Sequence, residues 1–385
     1  MPRTRAAPIR LPCSWAARKD GTSCQSKFDI FKNAYQKCRY RELCGRCLSH
    51  TMNTLHHTEH AMTAPQGPIV DTMPGLHTVL GANGVIAREL SLELGRKGLP
   101  VRQVSRHPRA VKPTDQLLAA DLLDAKAVSG AVAGSDVVYL VAGLPYDTTT
   151  WEVQWPVLMR HVIDACARHG ARLVFFDNVY AYGWVKGAMT EETPFNPCSR
   201  KGEVRAAVAS QLLNAMAKGG VNALIARSAD FYGPGAVNSF LRVALFDRLR
   251  AGKAPQWIGN PRALHSFTYT PDAGRVLALL GQTESAYGQT WHLPTCKEDI
   301  TGEGFVRLAC EQARQTFRLQ VLPNWLLKPL GWVAPPIREN IEMMYQLQFD
   351  YRFDSSKIAR ALGVMATAYP KGIDATLAAQ LVSDH

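Results

Sequence analysis

A membrane-spanning stretch is the first thing this sequence lacks. No run of 18 or more apolar residues occurs, and the best candidate, 137–146, is too short to cross a bilayer. A disulfide pattern is also missing. Five of the nine cysteines (Cys13, Cys24, Cys38, Cys44, Cys47) crowd into the first 47 residues, while Cys166, Cys198, Cys296 and Cys310 are scattered. Such irregular spacing in a long chain predicts a reducing, cytoplasmic compartment. Low-complexity sequence is absent, since 29 Gly and 23 Pro are ordinary for 385 residues. Acidic residues are scarce only at the head. Residues 1–60 hold 11 Lys/Arg against four Asp/Glu, a net +7 of the total +12, so the other 325 residues carry +5. The excess charge therefore does not describe a basic face on the folded body, and no nucleic-acid partner is read from it.

What is present is enough for a packed core. Hydrophobic residues make up 46% of the chain and charged residues 20%, over a length that fits one large domain or two smaller ones. Residues 1–70 stand apart. Their positive start is followed by no apolar region, which argues against a secretory signal, though the Arg-rich, acid-poor start weakly resembles a transit peptide. Cys38, Cys44 and Cys47, with His50, His56, His57 and His60, offer zinc-ligand chemistry. Only Cys44-Gly-Arg-Cys47 has familiar spacing and a second pair is missing, so no metal is expected. The reading is a disordered or non-native extension, with Met52, Met62 or Met73 as possible starts.

The informative segment begins at Leu76. A short apolar strand breaks at Gly81 and Gly84, resumes with helical spacing through Ile86, Leu90 and Leu94, and ends near Gly95 and Gly98. A second strand follows at Val101–Val104. Side chains at such a bend would block a pyrophosphate, whereas free N–H groups at the helix start bind it. Gly81-x-x-Gly84-x-x-Ala87 therefore predicts a dinucleotide site, with Gly81, Asn83, Gly84, Val85 and Ile86 as contacts. The second strand runs into Ser105-Arg106-His107-Pro108-Arg109. No carboxylate there would repel a 2′-phosphate and Arg106 could pair with one, which favours NADP over NAD.

Strands and helices continue to alternate. Strands are predicted at Gln116–Leu122, Asp136–Ala142, Ala171–Asp177 and Val221–Arg227. Helices are predicted at Ala125–Val132, Trp151–His169 and Gly202–Lys218. The fold class is α/β, a doubly wound parallel sheet of Rossmann type, with ligand at the carboxyl ends of the strands.

With these motifs in hand, the chain resembles the extended short-chain dehydrogenase/reductase superfamily, its NAD-dependent epimerase/dehydratase group. The likeness covers roughly residues 75–380. Gly81-Ala-Asn-Gly84-Val-Ile-Ala87 is similar to the cofactor loop, Asp121-Leu122 to the adenine contact, and Val141-Ala142-Gly143 to the turn under the nicotinamide ribose. Tyr182-Gly183, Arg227-Ser-Ala-Asp-Phe-Tyr232-Gly-Pro234 and Phe267-Thr-Tyr-Thr-Pro-Asp272 resemble later family segments. The resemblance implies a dinucleotide domain over 74–295 with substrate-region insertions near 184–200 and 232–262, and a smaller, discontinuous C-terminal substrate region over 296–385. The Pro/Trp-rich 321–336 and a helical 337–347 would belong to it. It also implies pairing into a homodimer through the helices at about 151–170 and 202–218.

The acid–base positions depart from the family's Tyr-x-x-x-Lys pair. Alignment on Tyr182-Gly183 places Asn178 at the family's Ser/Thr. Alignment of the following helix places Lys201 at the Tyr and Arg205 at the Lys. Asn178 can still donate to a substrate carbonyl, Arg205 can contact cofactor ribose or phosphate, and Lys201, Tyr180 or Tyr182 can handle the proton. The expected function is an NAD(P)-dependent oxidoreductase or epimerase acting on a small carbonyl or hydroxyl substrate. The alternative is an NADP(H)-binding sensor without redox turnover, and a third reading is a non-redox isomerase or lyase.

Overall fold

The structure, a computed structural model, describes residues 75–322 and 339–382. The head at 1–70, the Cys44–Cys47 pair and residues 323–336 of the Pro/Trp-rich stretch lie outside the described residues.

The first half alternates as its hydrophobic pattern predicts. Strand β1 (His77–Leu80) leads to α1 (Val85–Arg96), β2 (Val101–Ser105), β3 (Gln116–Ala119), α2 (Ala125–Val132), β4 (Val137–Leu140) and α3 (Thr148–His169). Strands β5 (Arg172–Asp177) and β6 (Ala188–Met189) follow, then α4 (Arg200–Ala217) and β7 (Ala223–Arg227). The remainder runs β8 (Asp230–Tyr232), α5 (Asp247–Arg250), β9 (Gln256–Ile258), β10 (Phe267–Tyr269), α6 (Thr270–Gln282), β11 (Thr290–His292) and α7 (Gly302–Gln312). It closes with β12 (Gln320–Leu322), α8 (Tyr345–Gln348), β13 (Arg352–Phe353), α9 (Ser356–Leu362) and α10 (Tyr369–Val382).

Seven strands form one parallel sheet in the order β11-β7-β5-β4-β1-β2-β3. From β1 the chain winds one way to β3, then returns to β4 and winds the other way. The reversal falls between β1 and β4, where a doubly wound sheet opens a crevice at its carboxyl ends. Each face is covered. Val128, Trp155, Val162, Val208 and Leu212 from α2, α3 and α4 pack on one side. Ile86, Leu90, Val276 and Leu277 from α1 and α6 pack on the other.

Side-chain caps move several boundaries from the expected ones. The third strand stops at Ala119 rather than Leu122, because Asp121 Oδ1 accepts the Leu123 amide at 3.0 Å and turns the chain. Helix α3 starts at Thr148, ahead of Trp151, because Asp147 accepts the Thr150 amide at 2.7 Å. Ser199 likewise caps α4 through the Gly202 amide at 3.0 Å. The helix expected over 337–347 is broken by a turn at 342–344, leaving α8.

The later chain supplies three short parallel pairs, β8 with β10, β9 with β12 and β6 with β13. They frame an aromatic core of Tyr232, Trp257, Phe267, Phe305 and Tyr369. Among the described residues no helix is long and apolar enough to cross a membrane. Nor do three or more His, Cys, Asp or Glu side chains gather there to hold a metal.

Candidate functional site

The glycine loop sits at the crevice. At Gly81, φ is +100°, and a Cβ would lie 2.3 Å from the Cα of Ala142, so the approach of the β1 and β4 ends forbids a side chain. Gly84 differs: its φ is −72°, and its Cβ would meet only the Gly81 carbonyl oxygen, at 3.6 Å. Gly84 is the N-cap of α1 and no side chain caps that end. The first amides of α1, at Val85 and Ile86, are thus left for a ligand, with the helix dipole favouring an anion. The Ile86 side chain itself is core.

Asn83 takes a different part. In left-handed backbone (φ 78°), it donates to the His107 carbonyl at 2.7 Å and to Ser105 Oγ at 3.4 Å, and it accepts the Arg109 amide at 3.0 Å. It therefore fastens the loop after β2 against the glycine turn. Arg106 is exposed, and no ion pair to a described residue holds it. Asp121 is exposed, Leu122 packs partly into the core beside it, and Ala142-Gly143 leave the end of β4 next to Gly81.

At the end of β5 the buried Asp177 carries two guanidinium groups. Arg205 bonds its Oδ1, with Nε at 2.9 Å, and Arg227 Nε lies 3.3 Å from Oδ2. The Arg205 guanidinium also lies over Trp155 at 4.3 Å and Phe175 at 5.2 Å. It is thus engaged inside the protein. Asn178 Oδ1 accepts the Tyr180 amide at 3.1 Å, so what Asn178 offers a ligand comes from its Nδ2 donors.

Lys201 is wholly buried. Its Nζ donates to Thr148 Oγ1 (2.7 Å), Glu339 Oε2 (2.6 Å), the Glu339 carbonyl (2.9 Å) and Glu342 Oε1 (3.0 Å). The two carboxylates also cap helix starts: Glu339 accepts the Thr148 amide at 2.9 Å and Glu342 the Arg200 amide at 2.7 Å. Partial burial of Glu339 works against its charge. Hydrogen bonds from Lys201 and Thr148 outweigh that and hold its pKa below the ordinary value. The ammonium expected to serve as a proton donor therefore ties residues 339–342 to α3 and α4.

Tyr180 lies in the turn after the carboxyl end of β5, its hydroxyl 3.4 Å from that of Tyr146, and burial and then the charge of Asp230 push its pKa up to about 12. Tyr345, Tyr351 and Glu342 share this neighbourhood. Tyr182 belongs elsewhere. Fully buried, it donates to His292 Nε2 at 2.9 Å, and His292 Nδ1–H donates to the Asp354 carbonyl at 2.8 Å. Burial lowers the His292 pKa to about 3, so the ring is neutral and the pair is structural.

Sequence reasoning passed over Tyr146, Asp177, His265, Glu339 and Glu342. It quoted Asp230 only as part of a motif. Asp177 stood as the last residue of a strand, and Glu339 lies 138 positions from Lys201, so no local spacing advertised either contact.

Comparison with known proteins completes the site. The model of the NAD dependent epimerase/dehydratase family matches residues 77–292. No curated protein matches the chain. Among solved structures, MoeE5 in complex with UDP-glucose and NAD is 21% identical, with TM-score 0.66 over 81% of this chain and 100% of that one. DesIV, a dTDP-glucose 4,6-dehydratase from Streptomyces venezuelae with NAD and TYD bound, is 16% identical, with TM-score 0.66 over 80% and 97%. UDP-glucuronic acid 4-epimerase from Bacillus cereus in complex with NAD is 17% identical, with TM-score 0.65 over 80% and 99%. These relatives share the fold, and they correct the cofactor expectation, for all three hold NAD and not NADP. The physical reason is that an exposed arginine with no ion pair to a described residue is not in itself a 2′-phosphate site. A family match across more than half of the chain, on a sheet with this strand order, leaves one assignment: the chain belongs to the NAD dependent epimerase/dehydratase family.

Proposed function

We propose that the protein binds NAD in the crevice between β1 and β4 and uses it to oxidise or reduce a carbon bearing a hydroxyl or carbonyl group on a small substrate. One observation carries the cofactor reading. Gly81 lacks a side chain because the fold demands it, but the backbone and packing at Gly84 would accept one. A helix start with no capping side chain and no Cβ at its N-cap suits a diphosphate. When bound, the nicotinamide supplies the hydride chemistry. The amides of Val85 and Ile86 hold the anion, Asp121-Leu122 and Ala142-Gly143 line the adenine and nicotinamide ends, and Asn178 Nδ2 orients the substrate oxygen. Asn83 acts by fixing the β2 loop, and Lys201 and Arg205 act by holding the walls of the cleft.

A second reading, cofactor binding without turnover, draws support from one fact: the side chains at positions 201 and 205 are engaged in internal ion pairs. Titrating the protein with NADH, followed by nucleotide fluorescence, tests the shared premise. Native protein should saturate and Gly84→Val should bind at least about tenfold more weakly, since the added methyls occupy the diphosphate space. Equal affinity of the two proteins would refute the placement. Oxidation of NADH by carbonyl probes then separates the enzyme from the sensor.

A further inference from the structure

Strands β5 and β7 pair with Asp177 opposite Arg227, and the Ser228 amide bonds the Asp177 carbonyl at 3.0 Å. The chain leaving β7 therefore runs beside Asn178–Tyr180 before Asp230 opens β8. Asp230 Oδ2 lies 3.0 Å from His265 Nε2. A carboxylate can only accept, so Nε2 carries the proton. The imidazole is buried and clamped between the rings of Tyr351 (4.5 Å, 10°) and Phe267 (4.6 Å, 30°). The Asp230 side chain, by contrast, keeps 23% of its surface exposed. Oδ2 is held by His265, and among the described residues no side chain is hydrogen-bonded to Oδ1.

The neighbouring groups narrow the choice of base. Burial, with the charge of Asp230 adding to it, keeps the phenols of Tyr146, Tyr180, Tyr345 and Tyr351 protonated, so none of them can take up a proton at neutral pH. Glu342 is occupied by Lys201 and the Arg200 amide. Resting on the nicotinamide reading above, we propose that Asp230, positioned by His265, exchanges the proton of the substrate hydroxyl. In the oxidative direction a bound nicotinamide would supply the acceptor for the carbinol hydrogen and its electron pair, and the O–H bond breaks. The proton passes to Asp230, and the freed oxygen pair completes the C=O bond. Reduction reverses each transfer.

The test uses the full-length protein, NADH, and a set of ketone and aldehyde probes that includes phenanthrenequinone. NADH affinity and melting temperature are measured beside kcat and KM. Asp230→Asn should bind NADH like the native protein and lose about a hundredfold or more in kcat, with Asp230→Glu recovering part of it. At position 265, Gln keeps a hydrogen-bond donor and Phe keeps the ring stack. His265→Phe should lower kcat about tenfold at unchanged KM, and His265→Gln should retain most activity. Native-like turnover by Asp230→Asn, or a His265→Phe protein more active than His265→Gln, would overturn the assignment. NADH binding by native protein with no turnover of any probe would also overturn it while leaving the cofactor site standing. No NADH binding at all would instead refute the reading on which it rests.

Discussion

Gly81 and Gly84 lie three positions apart and lack side chains for different reasons, which a pair of substitutions separates. Gly81→Val forces a branched side chain into left-handed backbone against Ala142 and should lower unfolding free energy by about 2–4 kcal/mol in urea melts. Gly84→Val should cost no more than about 1 kcal/mol, the loss of a favourable N-cap residue, and act chiefly on nucleotide binding. Two buried histidines contribute to the acid limit of stability. Burial lowers the pKa of His77 to about 4 and that of His292 to about 3. Each is neutral in the fold and gains a proton on unfolding once the pH falls below the ordinary value near 6.5. Their contribution is thus complete above that pH and is lost as the pH falls toward the folded values. Urea melts should show about 2 kcal/mol lost per histidine between pH 6.5 and pH 5. His292→Gln should remove its share of that slope, and an unchanged slope would contradict the account.

Among the elements, the one whose placement says most is the segment leading into α8. Glu339 and Glu342 seat it on the starts of α3 and α4 through Lys201. Lys201→Met should loosen this segment, seen as faster amide exchange over 339–348 with the sheet still protected. Arg205→Met acts deeper. It leaves the buried Asp177 with Arg227 and the Asn178 amide but one guanidinium fewer, and should cost about 3–5 kcal/mol of global stability in the same melts. Exchange spreading evenly through the sheet in Lys201→Met would argue against a local latch. These contacts also mark where the sequence stopped being readable. The glycine loop was legible because its demands are local: a strand, a bend without side chains, a helix start. The role of Lys201 was not, because a first-turn lysine reads as a solvated charge until carboxylates 138 and 141 positions away are brought to it. Tyr182 likewise read as a candidate acid until His292, 110 positions on, accepted its hydroxyl.

Across the whole molecule the alternation of strand and helix was enough to predict a doubly wound parallel sheet, since buried parallel strands and their crossover helices carry distinct hydrophobic periods. The position of the crevice followed from the point where strand order reverses. Cofactor choice did not follow, because an exposed charge such as Arg106 does not by itself make a 2′-phosphate site. The account therefore stands on a diphosphate held at the start of α1, and titration of native protein with NADH and NADPH in parallel tests this most directly. Saturable NADH binding is the predicted result. Failure of folded protein to saturate with either nucleotide would contradict it.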